Sequence, residues 1–247
     1  IIGEVTISEI SKLKDGEVLL LDNIRNLDEE MKPSVDNIIV NKLKDLFDIY
    51  LNDAFSVSHR LQTSIVSFAP LMDCGVGRVM QRELESLEKI TIENCLFLLG
   101  GFKVEDEMKI LRNRDNILSA GMLAHVCLFA KGYKAGIENE VFKDVMQYVP
   151  EVMELMKTKK IFVPLDLAMK ENGKRKDVII SDFPVNERSY DIGEKTVAYY
   201  KEKIKKAKSI FIKGTMGVCE EKEFCYGTKE LLNAVVKSKA FSVVGGG

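Results

Sequence analysis

The chain has 247 residues, 46% of them hydrophobic and 30% charged, with a formal net charge of −2. That balance supplies a core and a wet surface, which excludes a disordered or fibrous chain. With no basic stripe it also argues against a nucleic-acid partner, and the length allows one large domain or two modest ones.

The opening IIGEVTISEI lacks the basic start and long apolar run of a secretory signal. The longest stretch free of strong charge, Asn116 to Ala130, is too short for a comfortable membrane span. The chain starts at Ile1 and stops at FSVVGGG, where a strand pattern runs into a glycine triplet, so both ends are expected to continue. Five cysteines, an odd number with no C-x-x-C pair, argue against a disulfide framework or a zinc site. Reduced thiols and a cytoplasmic setting are expected.

In chain order, EVLLLDNI predicts a strand, KPSVDNIIVNKLKDLF a helix and DIYLNDAF the next strand. GRVMQRELESLEKI, 77–90, is a dense helix pattern in which Val79, Leu84, Leu87 and Ile90 can form one apolar face. It reads as a helix connecting two blocks, with a crossover inside one domain as the alternative. NCLFLLGG then predicts a strand and DEMKILRNRDNILSAGMLAHVCLFAKG a helix; EVFKDVMQYVPEVMELMKTK predicts another helix. KKIFVPLDLAM, KDVIISDF, KSIFIKG and KAFSVVGGG read as strands, and EKTVAYYKEKIKKAK and GTKELLNAVVKSK as helices. Short apolar runs between helices indicate βαβ units with buried parallel strands, hence an α/β fold.

Open parallel sheets bind ligands beyond the carboxyl ends of their strands. The polar and glycine-rich segments fall there. In the first block Arg25 follows VLLL, and His59 and Arg60 follow the strand at IYL; guanidinium groups suit phosphate or carboxylate oxygens, though turn and surface roles fit equally. In the second block Gly100 and Gly101 precede Lys103, which could reach phosphoryl oxygens. Gly214 and Gly217 flank a loop ahead of Glu220, a possible ribose partner, while Gly121 and Met122 could line a base pocket. Gly245, Gly246 and Gly247 could offer backbone N–H groups to phosphate. Neither G-x-x-x-x-G-K-[ST] nor G-x-G-x-x-G occurs, and His125 reads as a helix-packing residue.

LLLDNIRN, NDAFSVSHR, GRVMQREL, LFLLGGFKVED, SAGMLAHVCL, IFVPLDLAM, YDIGEKTVAYY, IKGTMGVCEEKEF, YGTKELLNAV and SVVGGG, in that order, resemble the phosphoglycerate kinase family, its archaeal branch in particular. The resemblance covers almost the whole chain. It implies two Rossmann-like, three-layer αβα domains with parallel sheets, joined by a helix and hinge. By it, 1–76 is the remaining part of a 3-phosphoglycerate-binding domain, 77–90 the interdomain helix and 91–247 a nucleotide-binding domain, both domains incomplete.

The implied reaction is reversible, Mg2+-dependent phosphoryl transfer between ATP and the carboxylate of 3-phosphoglycerate, giving ADP and 1,3-bisphosphoglycerate. Arg25, Arg60 and His59 fall on the three-carbon substrate side. Lys103 matches the lysine that stabilises the transferred group. Gly100, Gly101, Gly121, Gly214, Glu220, Gly245 and Gly246 match nucleotide-site positions. No metal ligand can be named. Monomer and homodimer both remain open, with neither nucleic acid nor membrane as partner. Two departures stand out: Glu107 replaces a second lysine found in bacterial and eukaryotic members, and IKGTMG replaces WNGPxG, bringing Lys213 in place of Asn. A nucleotide-binding scaffold without transfer activity is the alternative.

Overall fold

A computed structural model describes residues 2–134, 140–183 and 188–245. The chain divides into two compact units, Ile1–Glu88 and Lys89–Gly247. Among the described residues no helix is long and apolar enough to cross a membrane.

The first unit contains α1 (Glu4–Ser11), α2 (Ile38–Leu43), β1 (Tyr50–Asn52), α3 (Thr63–Val66), β2 (Cys74–Val76) and α4 (Arg78–Leu87). β1 and β2 pair in parallel, Tyr50 opposite Cys74. The core is small: Ile10, Ile39, Val40, Leu43 and Phe68, with the Tyr50 ring stacked on Phe68 at 5.8 Å. Polar groups brace it. The buried Glu30 carboxylate accepts from Ser64 N at 3.0 Å and Ser64 Oγ at 2.6 Å. Asn37 caps α2 by accepting from Ile39 N, and its amide donates to the carbonyls of Glu29 and Lys32. Asp53 accepts from Met80 N at 2.8 Å, capping α4 from a distant loop.

Two expectations fail here. The segment 17–24 forms no strand: Val18 and Leu20 are 91% and 92% exposed, and among the described residues no neighbouring strand offers its backbone a ladder. The helix expected over 32–47 shrinks to Ile38–Leu43, because Asn37 sets its start and the chain tightens into a 3-10 turn at Lys44–Leu46. The apolar stripe expected over 77–90 is divided: Val79 and Leu84 are 53% and 40% exposed, while Leu87 and Ile90 are half-buried.

The second unit adds β3 (Cys95–Leu99), α5 (Val104–Asn113), β4 (Ile117–Ser119), α6 (Gly121–Ala130), α7 (Glu140–Lys143), α8 (Val149–Thr158), β5 (Ile161–Phe162), β6 (Asp166–Glu171), β7 (Lys174–Ile179), β8 (Ser189–Ile192), α9 (Glu194–Lys206), β9 (Ser209–Lys213), α10 (Tyr226–Lys237) and β10 (Phe241–Gly245). Five strands form a parallel sheet in the order β10-β9-β3-β4-β5. Every residue of β3 is buried, as a central strand requires. Its side chains alternate between two cores. Leu96 and Leu98 join Tyr200 and Ile204 of α9 and Leu231 and Val235 of α10. Cys95, Phe97 and Leu99 join Met108 and Leu111 of α5, Leu123 and Val126 of α6 and Val152 of α8. The result is a three-layer αβα sandwich.

Here too the structure corrects the reading. One helix was expected across 106–132, but α5, β4 and α6 occupy it. Asn116 takes a φ of 57°, which ends the helical path, and Asp115 Oδ1 accepts from both Asn116 N and Lys160 N, setting β4 beside β5. KKIFVPLDLAM is two strands, β5 and β6, on either side of Pro164. β6, β7 and β8 form a separate antiparallel sheet rather than more parallel strands. The cause is Asn172-Gly173, at φ 51° and 76°, a two-residue turn that closes a hairpin. Finally, Cys219 and Cys225 are joined as a disulfide, against the expectation of reduced thiols. The 3-10 turn at Lys222–Cys225 brings their Cα atoms to 4.2 Å. Cys95 and Cys127 are free and buried, and burial pushes their thiols up to about 11 and about 12.

Candidate functional site

The register of the parallel sheet decides where the candidate loops emerge. Leu99 lies opposite Lys213 and Ser119, and Lys213 opposite Gly245. Gly100, Ala120 and Gly214 therefore leave the sheet side by side at its carboxyl edge, with Gly245 at the end of β10.

At that edge three loops interlock through their backbones. Gly100 N donates to Lys213 O at 2.8 Å, Gly101 N to Thr215 O at 2.7 Å, Gly121 N to Met216 O at 3.2 Å and Met122 N to Gly101 O at 2.9 Å. A side chain has no room in this crossing. A Cβ on Gly100 would lie 2.3 Å from Thr215 O, and one on Gly214 2.3 Å from Gly100 O. Gly214 also holds a φ of 73°. These glycines let backbone meet backbone, a role that the glycine pattern alone did not separate from close approach to a ligand.

Beside the crossing lies a cleft of about 360 Å³, lined by Gly101, Gly121 and Glu220 among the expected residues. Met122, Phe142, Leu167 and Tyr190 give it an apolar stretch of wall, while His125, Arg188, Ser189 and Asp191 add polar and charged groups. His125 Nε2 lies 2.7 Å from Ser189 Oγ, and its ring sits 4.8 Å from that of Phe142. Burial, helped by Arg188, holds this imidazole down near a pKa of about 4, so it is neutral at physiological pH. Expected as a packing residue, His125 both packs and faces the cleft.

Lys103 is the exposed N-cap residue of α5, next to the crossing but outside the lining of the cleft. Lys213 ends β9 and is half-buried. Both stand near Asp106, whose carboxyl lies below the usual range because it accepts from Lys109, with smaller help from Lys213 and Lys103. Glu107, one residue on, is fully buried, and among the described residues neither of its carboxylate oxygens has a hydrogen-bond partner.

The third wall depends on residues the sequence did not single out. Asp191, in β8, accepts from Gly227 N at 2.8 Å and from Arg175 Nη1 at 2.9 Å. Arg175 also donates to Asp177, to Glu223 O and to Ile192 O, and its guanidinium lies over the Tyr226 ring. This network ties the β6–β7 hairpin and β8 to the start of α10, on both flanks of the loop carrying Glu220. Burial raises the Asp191 pKa against the pull of its hydrogen bonds. The alternation in SYDI was the available signal, too short to separate from a loop.

In the first unit Arg25 sits exposed in the 3-10 turn Ile24–Asn26, whose N-cap Asn23 accepts from Arg25 N. His59 is exposed and Arg60 half-buried, just past the 3-10 turn Phe55–Val57. Among the described residues no hydrogen bond or ion pair links these three side chains to one another or to an acid. Gly246 lies outside the described residues. The described residues contain no group of three or more His, Cys, Asp or Glu able to hold a metal ion.

A family model described as phosphoglycerate kinase matches residues 1–247. The phosphoglycerate kinase of Methanothermus fervidus is 39% identical over 267 aligned residues, which cover 100% of this chain and 65% of the relative. That of Methanothermobacter thermautotrophicus is 37% identical, covering 100% and 64%. The crystal structure of phosphoglycerate kinase from Pyrococcus horikoshii OT3 matches with a TM-score of 0.90 at 34% identity, over 100% of this chain and 67% of that one. The chain thus spans about 65% of the length of the curated relatives it matches.

Proposed function

The chain belongs to the phosphoglycerate kinase family, and from that premise we propose that the protein transfers a phosphoryl group between ATP and the carboxylate of 3-phosphoglycerate, in the cytoplasm. The observation that carries this is the interlocked glycine crossing at the head of α5, with a partly apolar cleft on one side and Lys103 beside it.

Each part has a physical task. The apolar wall from Met122 to Tyr190 takes a nucleobase, and the Glu220 carboxylate accepts from ribose hydroxyls. The neutral His125–Ser189 pair offers hydrogen bonding without charge. The nucleotide's phosphates point toward the crossing, where Lys103 opposes charge developing on the transferred group. Arg25, His59 and Arg60 hold the three-carbon acid through its phosphate and carboxylate oxygens. Transfer is in line between two bound substrates, so positioning supplies the catalysis and no protein nucleophile takes part. Reactions of this class draw on a divalent cation carried by the phosphates. The described residues form no cage for one, and no step here depends on it.

A coupled turnover assay on the full-length protein, run in both directions with ADP plus 1,3-bisphosphoglycerate and with ATP plus 3-phosphoglycerate, tests the reading. Turnover in both directions is expected. A folded protein that binds nucleotide but turns over neither pair would leave only the binding-scaffold alternative.

A further inference from the structure

Glu107 lies in the second turn of α5, fully buried, and both its carboxylate oxygens lack a hydrogen-bond partner among the described residues. Buried carboxyl groups are ordinarily satisfied, since desolvation without a partner is costly. Oε1 sits under the glycine crossing, 3.7 Å from where a Cβ on Gly101 would stand. The groups that face it are few. Lys213, from the end of β9, favours its ionised form, and Asp106, on α5 itself, opposes it. Cys127, on α6, feels its charge. Lys213 is thus the cation nearest in effect, yet no hydrogen bond joins the two.

We propose that Glu107 is a positioning residue for Lys213: a neutral carboxyl leaves the ammonium free to meet a nucleotide's terminal phosphate at the head of α5, and an ionised carboxylate draws it back. The inference rests on the nucleotide reading above and adds to it a proton-controlled cation. Lys213 stands where such a cation is useful: Gly100 N donates to its carbonyl, and the Cα of the next residue, Gly214, lies 3.6 Å from the same Gly101 position that Glu107 Oε1 approaches.

The charge balance gives the sign. Burial pushes the Glu107 pKa up to about 8, with Lys213 pulling against it. A phosphate that takes the Lys213 ammonium removes the cation that favours the ionised form, so nucleotide binding takes up a proton at Glu107. Affinity therefore falls as pH rises above about 8. The other facing groups are silent in that range. Cys127 is pushed up to about 12, and Asp106 lies below the usual carboxylate range.

Titration calorimetry of the full-length protein with ADP at fixed Mg2+, and with adenosine, tests this at pH 7.5 to 9. ADP affinity should fall about fivefold across that interval, and adenosine affinity should not change. Glu107→Gln should bind ADP with a flat profile at the strength seen at pH 7.5, and Lys213→Met should bind weakly and equally flatly. At pH 8, titrations in buffers of different ionisation enthalpy should show uptake of about half a proton per ADP in the unmodified protein, a measurement that needs no variant. A flat profile in the unmodified protein, no proton uptake, or a slope that survives in either variant overturns the role of Glu107 while leaving nucleotide binding intact. A slope shared by adenosine overturns it too, because the effect would then bypass the phosphates. Failure to bind ADP at any pH removes the nucleotide reading itself, and this inference with it.

Discussion

In the unit Lys89–Gly247 the candidate residues are held by backbone: Gly100, Gly101, Gly121 and Gly214 sit in a hydrogen-bonded crossing, above a sheet with a core on each face. In the unit Ile1–Glu88 they are held by little: Arg25 and His59 are exposed beside short turns, over one core of five buried residues and a two-stranded sheet. The difference separates two ways of making a site. A backbone site is fixed when the fold forms, so its residues are costly to change even without ligand. A site of long cations is fixed by what it binds, so its residues fold harmlessly and matter only in the complex. Substitutions should therefore register as stability in one unit and as affinity in the other.

The largest effect is expected at Arg175. Arg175→Ala leaves the Asp191 side chain, 0% exposed, without its cation and strips two carbonyls of a donor. Breaking a buried pair from one side costs about 3 kcal/mol or more. Urea unfolding followed by circular dichroism should show the second unit destabilised by that amount; a loss below about 1 kcal/mol would mean that the network does not brace the Glu220 loop.

Next comes a paired test of the crossing. Gly214→Ala meets both a φ of 73° and a backbone oxygen 2.3 Å away, whereas Gly16→Ala, in the first unit, meets a φ of 85° and open space. The first should cost about 3 kcal/mol and the second about 1 kcal/mol. Equal losses in denaturant titrations would show that φ alone, and not the interlock, demands glycine.

Lys103→Ala should leave the unfolding midpoint unchanged, since the side chain is exposed, while turnover falls by about 3 kcal/mol of transition-state stabilisation, with ADP affinity altered far less. Unaltered turnover would take Lys103 out of the transfer step.

The smallest effect tests the first unit. Arg60→Ala should weaken 3-phosphoglycerate binding by about 2 kcal/mol, the loss of one charge-assisted contact, with ADP binding and stability unmoved. Binary titrations of each ligand read this directly. Loss of ADP affinity in parallel would erase the contrast between the two units.

Much of this was legible in the amino acids, because it rests on local pattern. The apolar run CLFLL could only be a buried strand, and alternate residues had to face two layers. The ordered motifs fixed the family, and the glycine-bounded segments fell at strand ends. What stayed hidden depended on distant partners. Val18 to Leu21 looked like a strand but found no ladder to join. Asn172-Gly173 turned an expected parallel strand into a hairpin, a local signal obscured by the βαβ pattern around it. Arg175 and Asp191 are 16 residues apart and look ordinary until burial makes each the other's counter-charge.

Sequence alone therefore determined the fold class, the family and the strand-end placement of the loops, since periodicity and motif order are properties of the chain itself. Tertiary structure alone decided that the glycines serve a backbone crossing, that Cys219 meets Cys225, and that Glu107 is sealed under that crossing with no hydrogen bond among the described residues. Burial sets the worth of each of those groups, and burial exists only once segments distant in the chain have packed together.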